Sequence, residues 1–323
     1  MIITVTLNPA VDKVYWVDRL RICEVAEEEF MTRALRSATS AGGKGVNMSV
    51  FLSGMGMENV AMGFVGGHTG HVVVRDLRDR GVTTNFIWTR EETRTNVTVL
   101  EQGHESVPML IGEAGGGVTD HEMERFLRRY RRMLGRAEWV VLAGSIPPGI
   151  DATIYRDLAQ MAQDAGAKVV LSAGGEALVQ TFESCPYLVK PDTREHRELM
   201  GIDLASKEKI IEAGRHIASC GAEMVVISHE VTGDIAVTRD AVWEIRTPVR
   251  PVEFRNLVGA DDVFLAGILF RLVEGDGVEQ ALRFGLAAGL ASAESEEKVC
   301  REIERIEAEM PKVTVERLER EGA

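Results

Sequence analysis

The chain has 323 residues, 45% of them hydrophobic, with 32 glycines and 9 prolines, which suffices for one large α/β domain or two small ones. A net charge of −13 and a pI near 5.2 argue against a general affinity for nucleic acid or an anionic membrane. Cys23, Cys185, Cys220 and Cys300 lack paired spacing, so they read as free thiols of a reducing cytosol and not as a disulfide frame or a zinc site.

Ile2 to Leu7 is apolar on both faces, as in a buried strand, and Asn8-Pro9-Ala10 ends it just before Asp12. It lacks a basic leader, so it is not expected to be a signal peptide, and no apolar run approaches the ~20 residues of a membrane span. Val14 to Val17 and Phe30 to Leu35 are short strand candidates, separated by the acidic run Glu27-Glu28-Glu29, read as a solvated loop. Glu58 to Gly63 reads as a strand edge, Gly66 to Gly70 as a loop and Val72 to Arg80 as a helix. His68 and His71 then fall in the loop and at the helix start, with no third metal ligand nearby. Thr93 to Leu100 alternates like a half-exposed strand and pairs by a turn at Glu101 to His104 with Val107 to Ile111, a hairpin suited to a small β lid. Arg94 on it either faces a ligand or solvates an edge.

Glu122 to Arg136 is an arginine-rich helix, most simply a solvated face in so acidic a protein. Trp139 to Ala143, Lys168 to Leu171, Tyr187 to Val189 and Met224 to Ser228 are strands. The amphipathic helices between them are carried by Ile154, Leu158 and Met161, by a start at Glu195, and by Ile210, Ile211 and Ile217. Strand–helix alternation of this kind means a parallel sheet covered on both faces. Ile235 to Val237 and Val242 to Ile245 look like an antiparallel pair at its edge, and Gln280 to Ala293 and Cys300 to Glu309 are helices.

Two stretches carry chemistry. In Ala41-Gly42-Gly43-Lys44-Gly45-Val46-Asn47 the glycines let backbone approach a ligand and Lys44 supplies charge. It is not a P-loop, because Gly45 stands where that motif needs Ser or Thr. Gly259-Ala260-Asp261-Asp262 opens a helix whose Phe264, Leu265, Ile268, Leu269 and Leu272 recur at helical spacing. A small-residue turn at a helix start favours phosphate, and a carboxylate beside it can serve as a base for an attacking hydroxyl. Capping of a core helix by Asp261 and Asp262 is the plainer alternative.

With these stretches in order, the sequence resembles the PfkB, ribokinase-like carbohydrate kinases, over Met1 to about Ala293. Thr6 to Asp12, Ala41 to Asn47, Thr93 to Val97, Gly144-Ser145-Ile146-Pro147-Pro148-Gly149, Gly174 to Leu178 and the Gly259 turn carry the likeness. The resemblance implies one ribokinase-like domain over 1–323: a three-layer α/β/α core with a mostly parallel sheet, and a β lid from about 11–39 and 92–112. It implies an ATP- and Mg2+-dependent, cytoplasmic sugar-phosphate kinase, with fructose 1-phosphate ahead of tagatose 6-phosphate, and a homodimer joined through the lid. A weakened relative that senses a sugar phosphate is the alternative. By resemblance Asp262 is the base, and Gly259, Ala260 and Asp261 form the anion hole. Asp12, Gly42, Gly43 and Asn47 hold sugar hydroxyls, while Lys44, Arg94 and Ser145 hold the phosphate the substrate already carries. Lys190, Ser228 and Gly233 meet the nucleotide, and Asp192 and Glu195 act indirectly on the metal.

Three departures from the family pattern fall on the nucleotide half. Asp261 replaces a glycine, Asp192 an asparagine and Glu230 a glycine, and each adds negative charge where a triphosphate is expected.

Overall fold

The computed structural model describes residues 1–20, 31–104, 108–193, 198–230, 233–248 and 254–318. In chain order the first elements are β1 (Ile2–Thr6), β2 (Ala10–Val17), β3 (Ala34–Gly42), α1 (Lys44–Gly54), β4 (Asn59–Gly66), α2 (Gly67–Asp79), β5 (Thr83–Thr84), β6 (Ile87–Thr89), β7 (Arg94–Glu101) and β8 (Met109–Gly112). The middle holds α3 (Asp120–Leu134), β9 (Trp139–Ala143), α4 (Ile154–Asp164), β10 (Lys168–Ser172), α5 (Gly175–Thr181), β11 (Leu188–Val189), β12 (Glu198–Leu199), β13 (Ile202–Asp203) and α6 (Lys207–Ser219). The chain continues through β14 (Met224–Glu230), β15 (Gly233–Thr238), β16 (Val242–Arg246), α7 (Ala260–Val273), α8 (Val278–Ala293), α9 (Ile303–Glu309) and β17 (Thr314–Leu318).

The main sheet runs β17-β16-β15-β14-β11-β10-β9-β1-β4-β5, with β6 also paired to β4. From β14 to β5 every pairing is parallel, and β15, β16 and β17 add an antiparallel edge. Strand side chains alternate between two cores. Trp139, Val141, Val170, Met224 and Val226 pack with α1, α2, α7 and α8, while Val140, Leu142, Val169, Leu171 and Val225 pack with α3, α4 and α6. This two-sided burial explains why these strands are continuously apolar. Each buried aliphatic side chain contributes about 1.5–3 kcal/mol. The architecture is the ribokinase-like three-layer α/β/α fold. A second sheet, β3-β2-β7-β8, stands apart from it.

Several elements differ from the sequence expectation. The strand expected at Phe30 to Leu35 begins only at Ala34 and runs on to Gly42, because it pairs along the whole of β2. β4 is no edge, since it lies between β1 and β5, and it extends to Gly66. The glycine-rich stretch expected as a loop starts α2 at Gly67, so His68 and His71 are both helical, and His71 packs on Trp88 at 4.3 Å. β7 lies between β2 and β8, which removes the edge-strand reading of Arg94. The Glu27 to Glu29 run and the helix start at Glu195 lie outside the described residues, as does Cys23; Cys220 and Cys300 are free thiols. Among the described residues no helix is long and apolar enough to cross a membrane.

Candidate active site

The site lies along the carboxyl ends of the parallel strands, where open α/β sheets bind ligands. β1 delivers Asn8, β9 Ser145, β11 Lys190 and Asp192, and β14 Ser228. Opposite them stand the starts of α1 and α7. Gly43 caps α1 at φ +108° and Gly259 caps α7 at φ +84°, conformations that side chains with a Cβ rarely adopt. The two helices touch there. Asn47, one turn into α1, donates from Nδ2 to Asp262 Oδ2 at 2.7 Å. Lys44 Nζ lies 3.7 Å from Asp262 Oδ1 and 3.2 Å from Asp192 Oδ2. Asp262 is thus buried, oriented and faced by a cation, at the positive end of a helix.

Asp12 on β2 forms a second centre. Its carboxylate lies over the backbone of Gly42, where an added Cβ would overlap it. Asn96, its register partner on β7, donates to Oδ1 at 2.9 Å, and Lys298 donates to Oδ2 at 2.8 Å and to the Ala41 carbonyl at 2.6 Å. Burial pushes the Asp12 carboxyl up, but Lys298, Asn96 and Arg94 more than reverse this and hold it below the usual carboxylate range. Arg94 donates to the carbonyls of Asn8 (3.2 Å) and Glu113 (3.0 Å), and Asn8 Nδ2 donates to Ser145 Oγ at 3.2 Å. Arg94 and Ser145 are therefore joined through Asn8, while Lys44 and Ser145 line one cleft of about 600 Å³. The two cations expected at one phosphate, Lys44 and Arg94, hold different partners. Among the described residues, the buried Asn47 Oδ1 and Asn96 Oδ1 accept no hydrogen bond.

The third centre is Lys190, which donates to Ser228 Oγ at 2.9 Å and lies 3.5 Å from Asp261 Oδ1 and 3.8 Å from Asp234 Oδ1. Burial opposes its charge, but Asp261, Asp234 and Asp192 outweigh it and raise its pKa. Burial pushes the Asp234 carboxyl up to about 6, against the pull of Lys190. Asp261 is 52% exposed at its side chain, where Lys190 is 5% exposed. Beside them opens a cavity of about 460 Å³, walled by Phe254, Leu257, Phe264, Leu286 and Leu290, with Ser228, Asp234, Asp261 and Asp262 at its polar end. Gly233 does not line it; its neighbour Asp234 does. A narrow cavity of about 60 Å³ between Lys44, Lys190, Asp192 and Asp261 adjoins the same groups. Among the described residues no group of three or more His, Cys, Asp or Glu is arranged to hold a metal ion, and Glu195 is not described.

Asn8, Asn96, Asp234 and Lys298 were not expected as site residues. Asn96 sits inside the stretch that carries the resemblance. Lys298 follows the run Glu294 to Glu297, which gives no signal beyond a solvated loop.

Residues 5–299 match the pfkB family carbohydrate kinase model, and the chain belongs to that family. It is a phosphotransferase that acts on a sugar hydroxyl, a sugar-phosphate kinase. Among its relatives is the 1-phosphofructokinase of Bacillus subtilis, 34% identical over 98% of this chain and 100% of that one. The 1-phosphofructokinase of Borreliella burgdorferi is 29% identical over 91% and 92% of the two chains. Among solved structures, a "Possible 1-phosphofructokinase" from Thermotoga maritima superposes with a TM-score of 0.89 at 33% identity, covering 98% of this chain and 99% of that one.

Proposed function

We propose that the chain transfers the γ-phosphoryl group of ATP to a primary hydroxyl of a ketohexose phosphate, with fructose 1-phosphate as the acceptor ahead of tagatose 6-phosphate. One observation carries the reading most directly. Two buried amide oxygens, Asn47 Oδ1 and Asn96 Oδ1, accept nothing while each amide's nitrogen binds a carboxylate, Asp262 or Asp12. Buried acceptors without partners are rare and costly, and a ligand with several hydroxyls supplies the missing donors.

In this reading Asp262 takes the proton of the attacking hydroxyl as the new O–P bond forms and the bond to the β-phosphate oxygen breaks. Gly259, Ala260 and Asp261 meet the transferred charge with the N-terminus of α7. Asp12, Gly42, Gly43 and Asn47 hold the sugar, and Lys44, Arg94 and Ser145 its phosphate. The apolar cavity beside α7 and α8 accepts the base of the nucleotide, with Lys190 and Ser228 at its polar end. Mg2+ bound with the phosphates would supply charge neutralisation, and Asp192 is the described carboxylate placed to take part.

The sheet β3-β2-β7-β8 covers the sugar as a lid. Its exposed Leu35, Leu110 and Ile111 fit a homodimer joined across that sheet. The reading as a weakened sugar-phosphate sensor draws on Asp261, whose carboxylate already occupies Lys190.

The test is ATP turnover measured over fructose 1-phosphate, tagatose 6-phosphate, fructose 6-phosphate and free fructose. The proposal expects the highest kcat/KM for fructose 1-phosphate. Preference for an unphosphorylated sugar removes the phosphate-site reading, and binding of a sugar phosphate without turnover establishes the sensor.

A further inference from the structure

Lys298 is 286 residues from Asp12 in sequence and in the structure is its cation. Both side chains are 9% exposed. A buried lysine is costly unless its protons are used, and two of the three go to Asp12 Oδ2 and the Ala41 carbonyl. The same residue also lies against the turn that opens α7. A Cβ added to Gly259 would come 3.0 Å from Lys298 Cγ and 3.4 Å from the Lys298 carbonyl oxygen. Gly259 is in turn close to Asn47 Nδ2, the group that orients Asp262. One side chain therefore spans the second sheet, through Asp12 and Ala41, and the α7 N-terminus.

We infer that Lys298 is a positioning residue for the acceptor: it pairs with Asp12 and aims it at the sugar, and it sets the sugar-side sheet in register with the Gly259 turn. This rests on the sugar-phosphate reading above. The charged groups that face Asp12 are Lys298, from the loop after α8, and Arg94, from β7, with Asn96 beside it. β3 brings the backbone of Ala41 and Gly42. Arg94 is engaged with two carbonyls, so removing Lys298 leaves Asp12 buried without a contacting cation. Its carboxyl then rises toward neutrality and becomes a poorer acceptor for sugar hydroxyls as pH falls.

The experiment compares wild type, K298M, K298R, D12N and D12N/K298M. Calorimetric titration with fructose 1-phosphate, without nucleotide, should show K298M weakened roughly 10- to 150-fold, the worth of one charge-assisted hydrogen bond. The ratio of wild-type to K298M affinity should widen between about pH 8 and about pH 5.5, the comparison at each pH cancelling the second ionisation of the substrate's own phosphate near about pH 6. K298R should restore the wild-type pH profile, and the loss in K298M should appear more strongly in the KM for the sugar phosphate than in kcat. K298M within about threefold of wild type in affinity, with the same pH profile, overturns the inference.

Thermal melts provide a readout that needs no substrate. K298M should melt below D12N/K298M near pH 7.5, because it alone carries an unpaired buried carboxylate, and the gap should close by about pH 5 as that carboxylate protonates. A constant gap contradicts the inference. Should wild type fail to bind fructose 1-phosphate, the substrate reading falls and the melts still decide the role of Lys298.

Discussion

The sugar-side and nucleotide-side halves of the site are built from similar groups in opposite ways. Around Asp12 one carboxylate is matched by one contacting ammonium and one amide, and the two charged side chains are both 9% exposed. Around Lys190 one ammonium faces Asp261 and Asp234 at 3.5 and 3.8 Å, and Asp261 is about half exposed. The first half is neutralised before any ligand arrives. The second carries surplus negative charge beside the cavity proposed for a triphosphate. Preorganisation lowers the cost of binding, whereas surplus charge of the ligand's own sign must be screened or displaced. Sugar binding should therefore be insensitive to divalent cation and nucleotide binding strongly dependent on it.

The largest effect should come where the halves meet. Asp262→Asn should lower kcat by roughly 10²–10⁴-fold, the usual worth of a general base, with fructose 1-phosphate affinity nearly unchanged by calorimetry. Near-normal turnover assigns proton removal to another group. On the sugar side, Arg94→Ala removes a cation tied through Asn8 to Ser145. It should raise the KM for fructose 1-phosphate roughly 10- to 150-fold and leave the KM for ATP within about threefold. Equal rises in both constants erase the distinction between the halves.

The nucleotide side should respond more weakly and in the opposite sense. Asp261→Gly frees Lys190 from a half-exposed partner, so the gain is discounted for solvent screening: roughly a three- to tenfold lower KM for ATP at limiting Mg2+, vanishing at saturating Mg2+. A large loss of activity in a Mg2+ series makes Asp261 a metal ligand instead.

The smallest effect is on stability. Asp234 has a folded pKa pushed up to about 6 by burial, above its ordinary 3.8. Its ionised form is thus disfavoured in the folded chain, and its contribution to stability is lost as pH rises through about 6 and regained as pH falls toward the unfolded value. Relative to Asp234→Asn, wild type should gain melting temperature on going from pH 7 to pH 5. A fixed difference over that range places the titration elsewhere.

Much of the site was legible because its residues sit in glycine-bearing turns whose chemistry is local. Gly43 and Gly259 take positive-φ conformations that open α1 and α7, and the residues just beyond them, Lys44, Asn47 and Asp262, do converge. The alternation of strands and helices gave the parallel core for the same reason, since buried parallel strands are apolar on both faces. The failures are non-local. β3 runs past its expected end because β2 pairs with it, and α2 starts in a Gly-rich polar stretch that has no apolar period. Lys298 follows four residues that look solvated and finds its partner only through the packing of the loop after α8 against β2. The Asp261–Lys190 pair is likewise absent from any local pattern, because it joins a strand end to a helix start 71 residues apart (261 − 190).

Phosphoryl transfer to the free primary hydroxyl of fructose 1-phosphate leaves a product that can be seen directly. The most direct measurement is phosphorus NMR of a wild-type reaction with fructose 1-phosphate, ATP and Mg2+. The expected products are ADP and a sugar carrying a second phosphate ester with the original ester intact, fructose 1,6-bisphosphate. ATP left unconsumed, or ADP formed with inorganic phosphate and no new sugar ester, would contradict that transfer.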